Sequence, residues 1–259
     1  EINCMNIVYG PVSSWRLGSS LGVDLICSPK KICSFECVYC QLEETEKHTI
    51  KRRNFISIEK LEEELTDALV KTNPDVITLS GTGEPTIAKN IDEAINKIKE
   101  ISDLPIAILT NSTLLHKKDV RESLKKIDII VAKIDAANKE VFKRMNHPVK
   151  EITFEKTING IRKMREEFSG KFATQTMFID KNKGNALEIA KITREINPDE
   201  VQINTPLRPC KEKPLSVKEL DEIEKKFTGL STINVYHSKK PMTDPLDKIE
   251  LFKRRRMEK

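Results

Sequence analysis

The sequence predicts an α/β protein whose core is a parallel β-sheet. Short runs of β-branched and apolar residues alternate with longer stretches that repeat apolar residues every three or four positions, the pattern of strands followed by amphipathic helices. Segments rich in Gly, Asn and Cys follow the predicted strands directly. The length of 259 residues suits one large domain or two small ones and allows a sizeable core.

The strands are predicted from short apolar runs bounded by polar or turn-forming residues. The first is LGVDLIC at 21–27, and DVITLS at 75–80 follows the first predicted helix. Further strands are predicted at 106–110, 127–134, 172–179, 200–205 and 231–236.

The helices are predicted from apolar residues that share one face. Leu61, Leu65 and Leu69 lie on one face of the first, and Ile91, Ile95, Ile98 and Ile101 form the apolar stripe of the second. The six helices are predicted at 59–71, 91–101, 117–126, 153–168, 185–196 and 217–227.

Six βα units imply a parallel sheet with right-handed crossovers. Eight units would close a full barrel. Six units leave either an open, partial barrel or a doubly wound sheet, and the periodicity favours neither.

Composition narrows the class of protein. The net charge is only +5, from 45 basic and 40 acidic residues, so most charges are expected on solvated helix faces. The chain has no apolar run long enough to span a membrane and no signal peptide at its start, so we expect a cytoplasmic protein without a membrane partner. Basic runs at 51–53 and 253–256 are candidates for phosphate contacts, although a solvated loop and a solvated tail are the favoured interpretations.

Three of the six cysteines lie within eight residues. Cys33, Cys37 and Cys40 have spacings of four and three, and clustered cysteines in a cytoplasmic chain indicate metal ligands rather than disulfides. Structural zinc usually takes four ligands in paired knuckles, and a cubane iron–sulfur cluster usually takes four cysteines. Zinc, an iron–sulfur cluster with one open iron, and three unrelated cysteines are the alternatives.

The other cysteines and the four histidines show no ligand spacing. Cys4, Cys27 and Cys210 are far apart in sequence, so a second cluster on them has no local support, and Cys27 is expected in the core. A structural or exposed role is expected for each histidine.

Polar residues follow several predicted strands. Parallel α/β folds bind ligands at the carboxyl ends of their strands, so these residues are expected on one rim. For Asn111, a role as a helix cap is an equally good interpretation. For Lys133 and Asp135, a surface ion pair is an equally good interpretation. Gln175 lies within an apolar strand and is expected to face the interior. The residues at strand ends are Gly81, Thr82, Gly83, Glu84, Pro85, Asn111, Lys133, Asp135 and Asn204.

The cysteine spacing resembles the radical S-adenosylmethionine superfamily, in which a CxxxCxxC loop follows the first strand and an aromatic residue precedes the third cysteine. Tyr39 has that position, and the segment 81–85 resembles the superfamily's GGEP motif. The resemblance implies a partial (β/α)6 TIM-like barrel. It also implies that Cys33, Cys37 and Cys40 hold a [4Fe–4S] cluster whose open iron binds S-adenosylmethionine.

The resemblance further implies that 81–85 binds the methionine amine and that the polar residues of the later strands contact the rest of the cofactor. Among these later residues, Asn111 is expected near the ribose hydroxyls, and Asn204 follows the strand segment 201–203, which resembles the one that packs near adenine. Lys133 and Asp135 are expected to orient the cofactor or the substrate. Reductive cleavage of the cofactor to a 5′-deoxyadenosyl radical would require a reducing partner such as flavodoxin or ferredoxin.

Segments at 9–12, 16–18, 20–24, 37–42 and 202–209 resemble a narrower group of small radical enzymes catalogued beside the wyosine-forming tRNA synthases. Those synthases carry a second cluster on evenly spaced N-terminal cysteines, whereas only Cys4 and Cys27 precede the motif here. We expect an N-terminal extension at 1–20, the partial barrel at 21–210 and a C-terminal helix–strand extension with a basic tail at 211–259. A missing C-terminal piece is consistent with this pattern.

Three hypotheses for the function follow. The first is a radical enzyme that acts on a nucleic-acid base, for example in tRNA. The second is a radical enzyme that modifies a protein, a peptide or a small metabolite. The third is a protein that binds a cluster without catalysis, which the segment 81–85 disfavours because an electron carrier needs no site for the cofactor's amine.

Overall fold

The computed structural model describes residues 6–42 and 45–255. Within that part of the chain, ten strands are described: β1 (Val8–Ser14), β2 (Gly18–Val23), β3 (Lys31–Cys33), β4 (Thr45–His48), β5 (Val76–Leu79), β6 (Ile106–Thr110), β7 (Ile129–Lys133), β8 (Lys171–Met177), β9 (Glu200–Asn204) and β10 (Thr232–Asn234).

Eight of these strands form one curled sheet in the order β1-β2-β5-β6-β7-β8-β9-β10. All neighbours from β2 to β10 are parallel, and only β1 pairs antiparallel with β2. The sheet is an open half-barrel, so the predicted α/β class and partial TIM-like barrel are confirmed. The seven predicted strands of the main sheet correspond to β2 and β5–β10.

Helices connect the parallel strands. They are α1 (Ile58–Lys71), α2 (Ile91–Ile101), α3 (Lys118–Leu124), α4 (Lys139–Asn146), α5 (Phe154–Glu167), α6 (Ala186–Ile196), α7 (Val217–Glu224) and α8 (Lys248–Arg255). Side-chain caps begin several of them: the Ser57 hydroxyl accepts from the Lys60 amide at α1, and Ser216 and Glu219 form a capping box at α7. The six predicted helices correspond to α1–α3 and α5–α7.

The two faces of the sheet differ in polarity because strand residues alternate. In β9, Val201 and Ile203 are buried in the core between the sheet and its helices. Glu200, Gln202 and Asn204 therefore face the opposite, concave side. The concave side is the more polar one, and the cysteine loop lies at its rim.

The first predicted strand extends too far, to residue 27. The buried carboxylate of Asp24 accepts hydrogen bonds from the amides of Ile26 and Cys27 (3.0 Å each), and Cys27 has a φ of 39°. These amides are therefore unavailable to a neighbouring strand, and β2 ends at Val23.

Several short elements were beyond prediction from periodicity. β3, β4, α4 and α8 are each three to eight residues long and were not predicted, whereas α3 and α7, of seven and eight residues, were. β1 lies within the segment expected to be an extension. It contains Pro11, which an edge strand tolerates because one side of its backbone makes no ladder hydrogen bonds. The division of the chain at 20/21 and 210/211 stays a prediction.

The chain returns after β10 to the opposite edge of the sheet. Ser13 in β1 donates to the Pro241 carbonyl (2.6 Å), and the Leu246 amide donates to Gly10 (2.7 Å). The helix α8 then packs on β1. Arg254 is buried there, so the solvated-tail interpretation is wrong for this residue: its guanidinium pairs with Asp24. Arg256, the last residue of that basic run, lies outside the described residues.

Among residues 6–42 and 45–255, no helix has the length and apolar composition needed to cross a membrane.

Candidate functional site: the cysteine loop and its rim

The three clustered cysteines lie on one loop that is fixed against α4. Cys33 ends β3 and is buried, while Cys37 and Cys40 are half-buried. The Phe35 ring meets the Phe142 ring edge-to-face with centroids 5.3 Å apart, and the Val38 amide donates to the Met145 carbonyl (3.0 Å). Packing and backbone hydrogen bonds therefore position the loop.

Two side-chain amides donate to cysteine sulfurs. Asn111 Nδ2 donates to Cys33 Sγ, and Asn146 Nδ2 donates to Cys37 Sγ, both at 3.4 Å. Burial raises the pKa of Cys33 to about 12, although Lys31 opposes this rise. Burial, reinforced by the Asp135 carboxylate, raises the pKa of Cys37 to about 11. Both thiols are therefore protonated at neutral pH unless a positively charged group replaces the proton.

A buried lysine lies among the three sulfurs. Lys31 is only 5% exposed, and its ammonium hydrogen-bonds the sulfur of Cys40. Burial lowers its pKa, but the charges of Cys40, Cys33 and Cys37 outweigh burial, so the pKa of Lys31 lies above its ordinary value. The Lys31 ammonium is therefore placed to interact with all three sulfurs once they lose their protons.

This donor set fits an iron–sulfur cluster. Within the described part of the chain, no three Cys, His, Asp or Glu side chains surround one point closely enough to hold a single metal ion. A [4Fe–4S] cluster does not require such convergence, because each cysteine binds a different iron atom. Three sulfurs on one loop, two amide donors to sulfur and a buried ammonium suit a cluster that carries negative charge with its thiolates.

The segment 81–85 lies directly beside the strand that ends in Cys33. The Ile32 amide donates to the Thr82 carbonyl (3.0 Å), and the Glu84 amide donates back to the Ile32 carbonyl (3.2 Å). A Cβ at Gly83 would lie 1.7 Å from the Ile32 carbonyl oxygen, so only glycine permits this approach. Gly81 is equally confined, because a Cβ there would lie 2.1 Å from Cγ of Asp24.

The Glu84 carboxylate joins the ends of β5 and β6. Its Oε1 accepts from the hydroxyls of Thr86 (2.6 Å) and Thr110 (2.7 Å), and its Oε2 accepts from the Asn111 amide (2.6 Å). Burial raises the pKa of this carboxyl, and the hydrogen bonds oppose the rise. Oε2 accepts one hydrogen bond among the described donors, so it keeps the capacity to accept another.

Tyr39, Asp135 and Lys133 form a second network beneath the loop. The Tyr39 hydroxyl donates to Asp135 Oδ2, which also accepts from Asn146 Nδ2 at 3.0 Å. The Lys133 ammonium lies 3.7 Å from Asp135 Oδ1 and 4.8 Å from the centre of the Tyr39 ring. Because the Asp135 side chain is 1% exposed, this pair is not the surface ion pair considered as an alternative.

Asn111 does not cap a helix. Its Oδ1 accepts from the Thr113 amide and hydroxyl, its Nδ2 contacts the cysteine loop, and α3 begins seven residues later. The helix-cap interpretation is therefore wrong.

Asn204 lies farther along the rim and makes no hydrogen bond to the cysteine loop among the described residues. Its Oδ1 accepts from the Thr205 amide, and Asn204 is paired in register with Met177. Lys133, Gln175 and Gln202 lie in register on neighbouring strands β7, β8 and β9, and they form a polar row on the concave face.

The remaining cysteines separate. Cys27 packs against the main core and Cys210 against the smaller apolar cluster around the cysteine loop, where burial raises the pKa of Cys210. The Arg208 guanidinium also donates to the Gln41 amide oxygen (2.8 Å), which joins the segment 202–209 to the loop. Cys4 lies outside the described residues.

Sequence reasoning missed Lys31, Asn146 and Asp24. Lys31 lies two residues before Cys33, and this closeness to the cysteines in sequence was the one signal that could have found it. Asn146 and Asp24 had none, because their partners are remote in sequence. Asp24 accepts from the Thr82 amide and hydroxyl at 3.0 and 2.9 Å, and it thereby fixes the turn at 81–85.

Several known proteins are similar to this chain in sequence. The profile of the radical SAM superfamily matches residues 28–192. A UPF0026 protein of Synechocystis sp. is 42% identical over 212 residues, which cover 80% of this chain and 77% of that protein. A protein of Brachyspira hyodysenteriae named GTPase Obg is 38% identical over 235 residues, and the match covers 88% of this chain but only 34% of that protein.

Solved structures share the fold. Streptococcus suis SuiB bound to S-adenosylmethionine has a TM-score of 0.64 at 18% identity, with 84% of this chain and 50% of SuiB covered. Archaeal TYW1 has a TM-score of 0.55 at 14% identity, with 83% and 74% covered. The chain thus spans about a third of the Brachyspira protein and half of SuiB. The superfamily uses a [4Fe–4S] cluster and S-adenosylmethionine, and by the match to its profile this chain belongs to the radical SAM superfamily.

Proposed function

We propose that the protein is an enzyme that cleaves S-adenosylmethionine reductively and uses the resulting 5′-deoxyadenosyl radical to abstract hydrogen from a substrate. One observation carries the proposal: the strand that ends in Cys33 is hydrogen-bonded on both sides of Ile32 to the turn at 81–85. A cluster on the cysteines and an amine on the turn would therefore be neighbours. Reductive cleavage of the S–C5′ bond is the chemistry that the two cofactors supply when bound.

Cys33, Cys37 and Cys40 would hold the cluster, and Lys31 would offset its negative charge. The carbonyls of the turn at Gly81, Thr82 and Gly83, together with Glu84 Oε2, would accept the methionine amine. Pro85 begins the 3₁₀ turn Pro85–Ile87 and holds this geometry after Glu84.

The other predicted residues would orient the remainder of the cofactor. Asn111 lies at the end of β6 beside Cys33, within the reach of a ribose or carboxylate bound next to the cluster. Lys133 and Asp135 offer a cation and an anion at the end of β7. Tyr39, from the cysteine loop, contacts both of these side chains. Asn204 lies at the rim at the end of β9, and its proposed role is to contact adenine through its side-chain amide.

For the substrate we favour a nucleic-acid base, as in tRNA, bound on the concave face. The polar row of Lys133, Gln175 and Gln202 supports this class, because amide side chains offer a donor and an acceptor side by side, as a base edge does. Gln202 is 1% exposed and its Oε1 has no hydrogen-bond donor among the described residues, so an incoming N–H would satisfy a buried acceptor. A peptide amide offers the same donor and acceptor side by side, so modification of a protein, peptide or small metabolite is the alternative.

The basic runs give the nucleic-acid hypothesis less support than their composition suggests. Arg52 is paired with Asp119, Arg53 lies over the Phe55 ring, and Arg254 is buried. Of the described residues in these two runs, Lys51, Arg53 and Lys253 are exposed, and these three form no ion pair within residues 6–42 and 45–255. A cytoplasmic setting suits the five described cysteines, none of which forms a disulfide within residues 6–42 and 45–255.

Anaerobic reconstitution tests the activity. With dithionite and S-adenosylmethionine, the reconstituted wild type should form 5′-deoxyadenosine, measured by chromatography and mass spectrometry. Cys37→Ala should lose the cluster absorbance and the product, whereas Cys27→Ala, on a cysteine outside the loop, should retain both. An intact wild-type cluster without product would contradict the enzyme proposal and favour a protein that binds a cluster without catalysis.

A second measurement distinguishes a tRNA substrate from a peptide substrate. Product formation should increase, and deuterium should transfer from substrate to 5′-deoxyadenosine, when tRNA is added to the wild type. Gln202→Leu should remove this stimulation while leaving the unstimulated cleavage unchanged. Stimulation by peptides but not by tRNA would favour the alternative class.

A further inference from the structure

A cationic groove lies next to the cysteine loop, beside β4 and on the opposite side of β3 from the turn at 81–85. Its volume is about 520 Å³, and its walls include Lys51, Lys117 and Lys150 together with His48. Lys51, His48 and Lys150 are exposed, and Lys117 is half-buried. Glu151 supplies the one carboxylate among the groove's described lining residues, so the groove carries an excess of positive charge.

The three lysines of the groove form no ion pair within the described part of the chain. Several other surface lysines are neutralised at close range, as in Lys71–Asp67 (2.6 Å), Lys97–Glu100 (2.8 Å) and Lys183–Glu219 (2.8 Å). Lys51, Lys117 and Lys150 have no carboxylate within ion-pair distance among residues 6–42 and 45–255. A groove with several unneutralised cations attracts an acidic surface.

The groove touches the backbone of the cysteine loop itself. His48 Nε2 lies 2.9 Å from the Ser34 carbonyl oxygen, and the Thr49 amide donates to the Cys33 carbonyl (3.0 Å). The Val149 amide donates to Ser34 as well (3.1 Å). The groove therefore contacts the carbonyl side of residues 33–34, while the Cys33 sulfur points to Asn111 on the rim.

We propose that this groove docks the acidic electron-transfer protein that reduces the enzyme, a partner of the flavodoxin or ferredoxin class. The proposal rests on the proposed function, which needs one electron for each cleavage. In the transfer the partner loses one electron and the centre held by the cysteines gains it, and no bond or proton changes. His48 and the Ser34 carbonyl offer a short route of one hydrogen-bond contact and a few covalent bonds from the groove to Cys33.

Position and composition favour an acidic protein over RNA in this groove. The described lining residues include no Phe, Tyr or Trp on which a base could stack. A substrate bound there would also be separated by the loop from the rim where the turn at 81–85 lies. An electron can cross this separation, but a hydrogen-abstracting radical needs direct contact with its substrate.

The test compares two variants with equal charge. Lys51→Glu/Lys117→Glu/Lys150→Glu changes the groove, and Lys163→Glu/Lys191→Glu/Lys218→Glu changes three exposed lysines on α5, α6 and α7. Each triple variant lowers the net charge by six, from +5 to −1. Neither alters a proposed cofactor ligand, so both should keep dithionite-driven formation of 5′-deoxyadenosine.

The first readout is binding of an acidic flavodoxin to the cluster-free chain at low salt, measured by calorimetry. We expect the groove variant to bind roughly ten- to a hundredfold more weakly than the wild type, and the control variant to bind within about twofold of it. Wild-type binding should weaken steeply as salt rises. The second readout is the rate of cluster reduction by reduced flavodoxin, which should fall in the groove variant alone.

Equal loss in the two variants, or no binding of flavodoxin by the wild type, would overturn the groove proposal. So would loss of tRNA binding in the groove variant with flavodoxin binding unchanged, since that result would assign the groove to RNA. Failure of dithionite to yield 5′-deoxyadenosine from the wild type would instead contradict the proposed function, and binding to the cluster-free chain does not depend on that chemistry.

Discussion

The Arg254 guanidinium lies 3.0 Å from the carboxylate of Asp24, although 230 residues separate the two in sequence. Both side chains are buried, with exposures of 4% and 1%. The same carboxylate accepts hydrogen bonds from the amide and hydroxyl of Thr82 and from the amides of Ile26 and Cys27. The last helix is therefore connected, through one carboxylate, to the turn beside the cysteine loop.

Loss of this pair should destabilise the fold. Arg254→Gln leaves the Asp24 carboxylate buried without its cation, which typically costs about 3–5 kcal/mol in the free energy of unfolding. The loss is measured by urea denaturation. Lys253→Gln, on the exposed side of the same helix, is the control and should change the stability by less than about 0.5 kcal/mol.

The same variant should loosen the turn at 81–85. Amide hydrogen exchange in peptides that include Thr82 should become faster in Arg254→Gln, because Asp24 then lacks the contact that holds its Oδ2 in place. Asp24→Asn/Arg254→Gln should recover part of the stability, since the buried negative charge is gone. Exchange at Thr82 that stays at the wild-type rate would show that α8 does not support the turn.

Removal of the Lys31 charge should make the cluster harder to reduce. The cation stabilises the added negative charge of the reduced state, and its loss in Lys31→Met should lower the reduction potential on the order of 100 mV. Redox titration followed by electron paramagnetic resonance measures the shift. Lys30→Met is the matched control because Lys30 is exposed. Equal potentials in the two variants would refute a role of Lys31 in offsetting the cluster's charge.

A methyl group at Gly83 should separate the cysteine strand from the turn. The Cβ of Gly83→Ala would lie 1.7 Å from the Ile32 carbonyl oxygen, so the backbone has to move. We expect cluster content and S-adenosylmethionine binding to fall together, measured by iron analysis and equilibrium dialysis. Gly184→Ala, where a Cβ meets nothing within 4 Å, should keep wild-type values for both.

The raised thiol pKa values predict the reactivity of the cluster-free chain. Below its pKa a thiol is mostly protonated, so alkylation by iodoacetamide increases about tenfold per pH unit until the pKa is reached. The increase should continue to about pH 12 for Cys33 and about pH 11 for Cys37, measured by mass spectrometry after short pulses. In urea the rates should level off near the ordinary value of about 8.5.

The sign of the accompanying stability change follows from the same values. The folded chain keeps protons on Cys33 and Cys37 that the unfolded chain releases. Their contribution to stability is present below the unfolded pKa and is lost as the pH rises through the folded pKa. The cluster-free chain should therefore become less stable between about pH 9 and pH 11, and a plateau in alkylation near pH 8.5 for the folded chain would contradict the buried placement of both thiols.

Local patterns were enough for the alternating strands and helices, because burial on one or two faces imposes a repeat on the sequence itself. Ile91, Ile95 and Ile98, for example, are all buried in α2, as their spacing predicts. The short spacing of Cys33, Cys37 and Cys40 likewise restricts them to one loop, and the family resemblance rests on it. The short elements β3 and α4 were not predicted, although α3 and α7, which are similar to α4 in length, were.

What the sequence by itself determined is thus the α/β class, the order of the main elements and the three cysteines on one loop. Only the tertiary structure decided which distant groups meet that loop: Lys31 among the sulfurs, Asn146 on Cys37, and Arg254 on the carboxylate that holds the turn at 81–85. The physical reason is that burial of one face of a helix or strand imposes a periodic apolar pattern on residues that are close in sequence. A charge pair or a sulfur contact depends instead on the register of strands and the path of the chain between them.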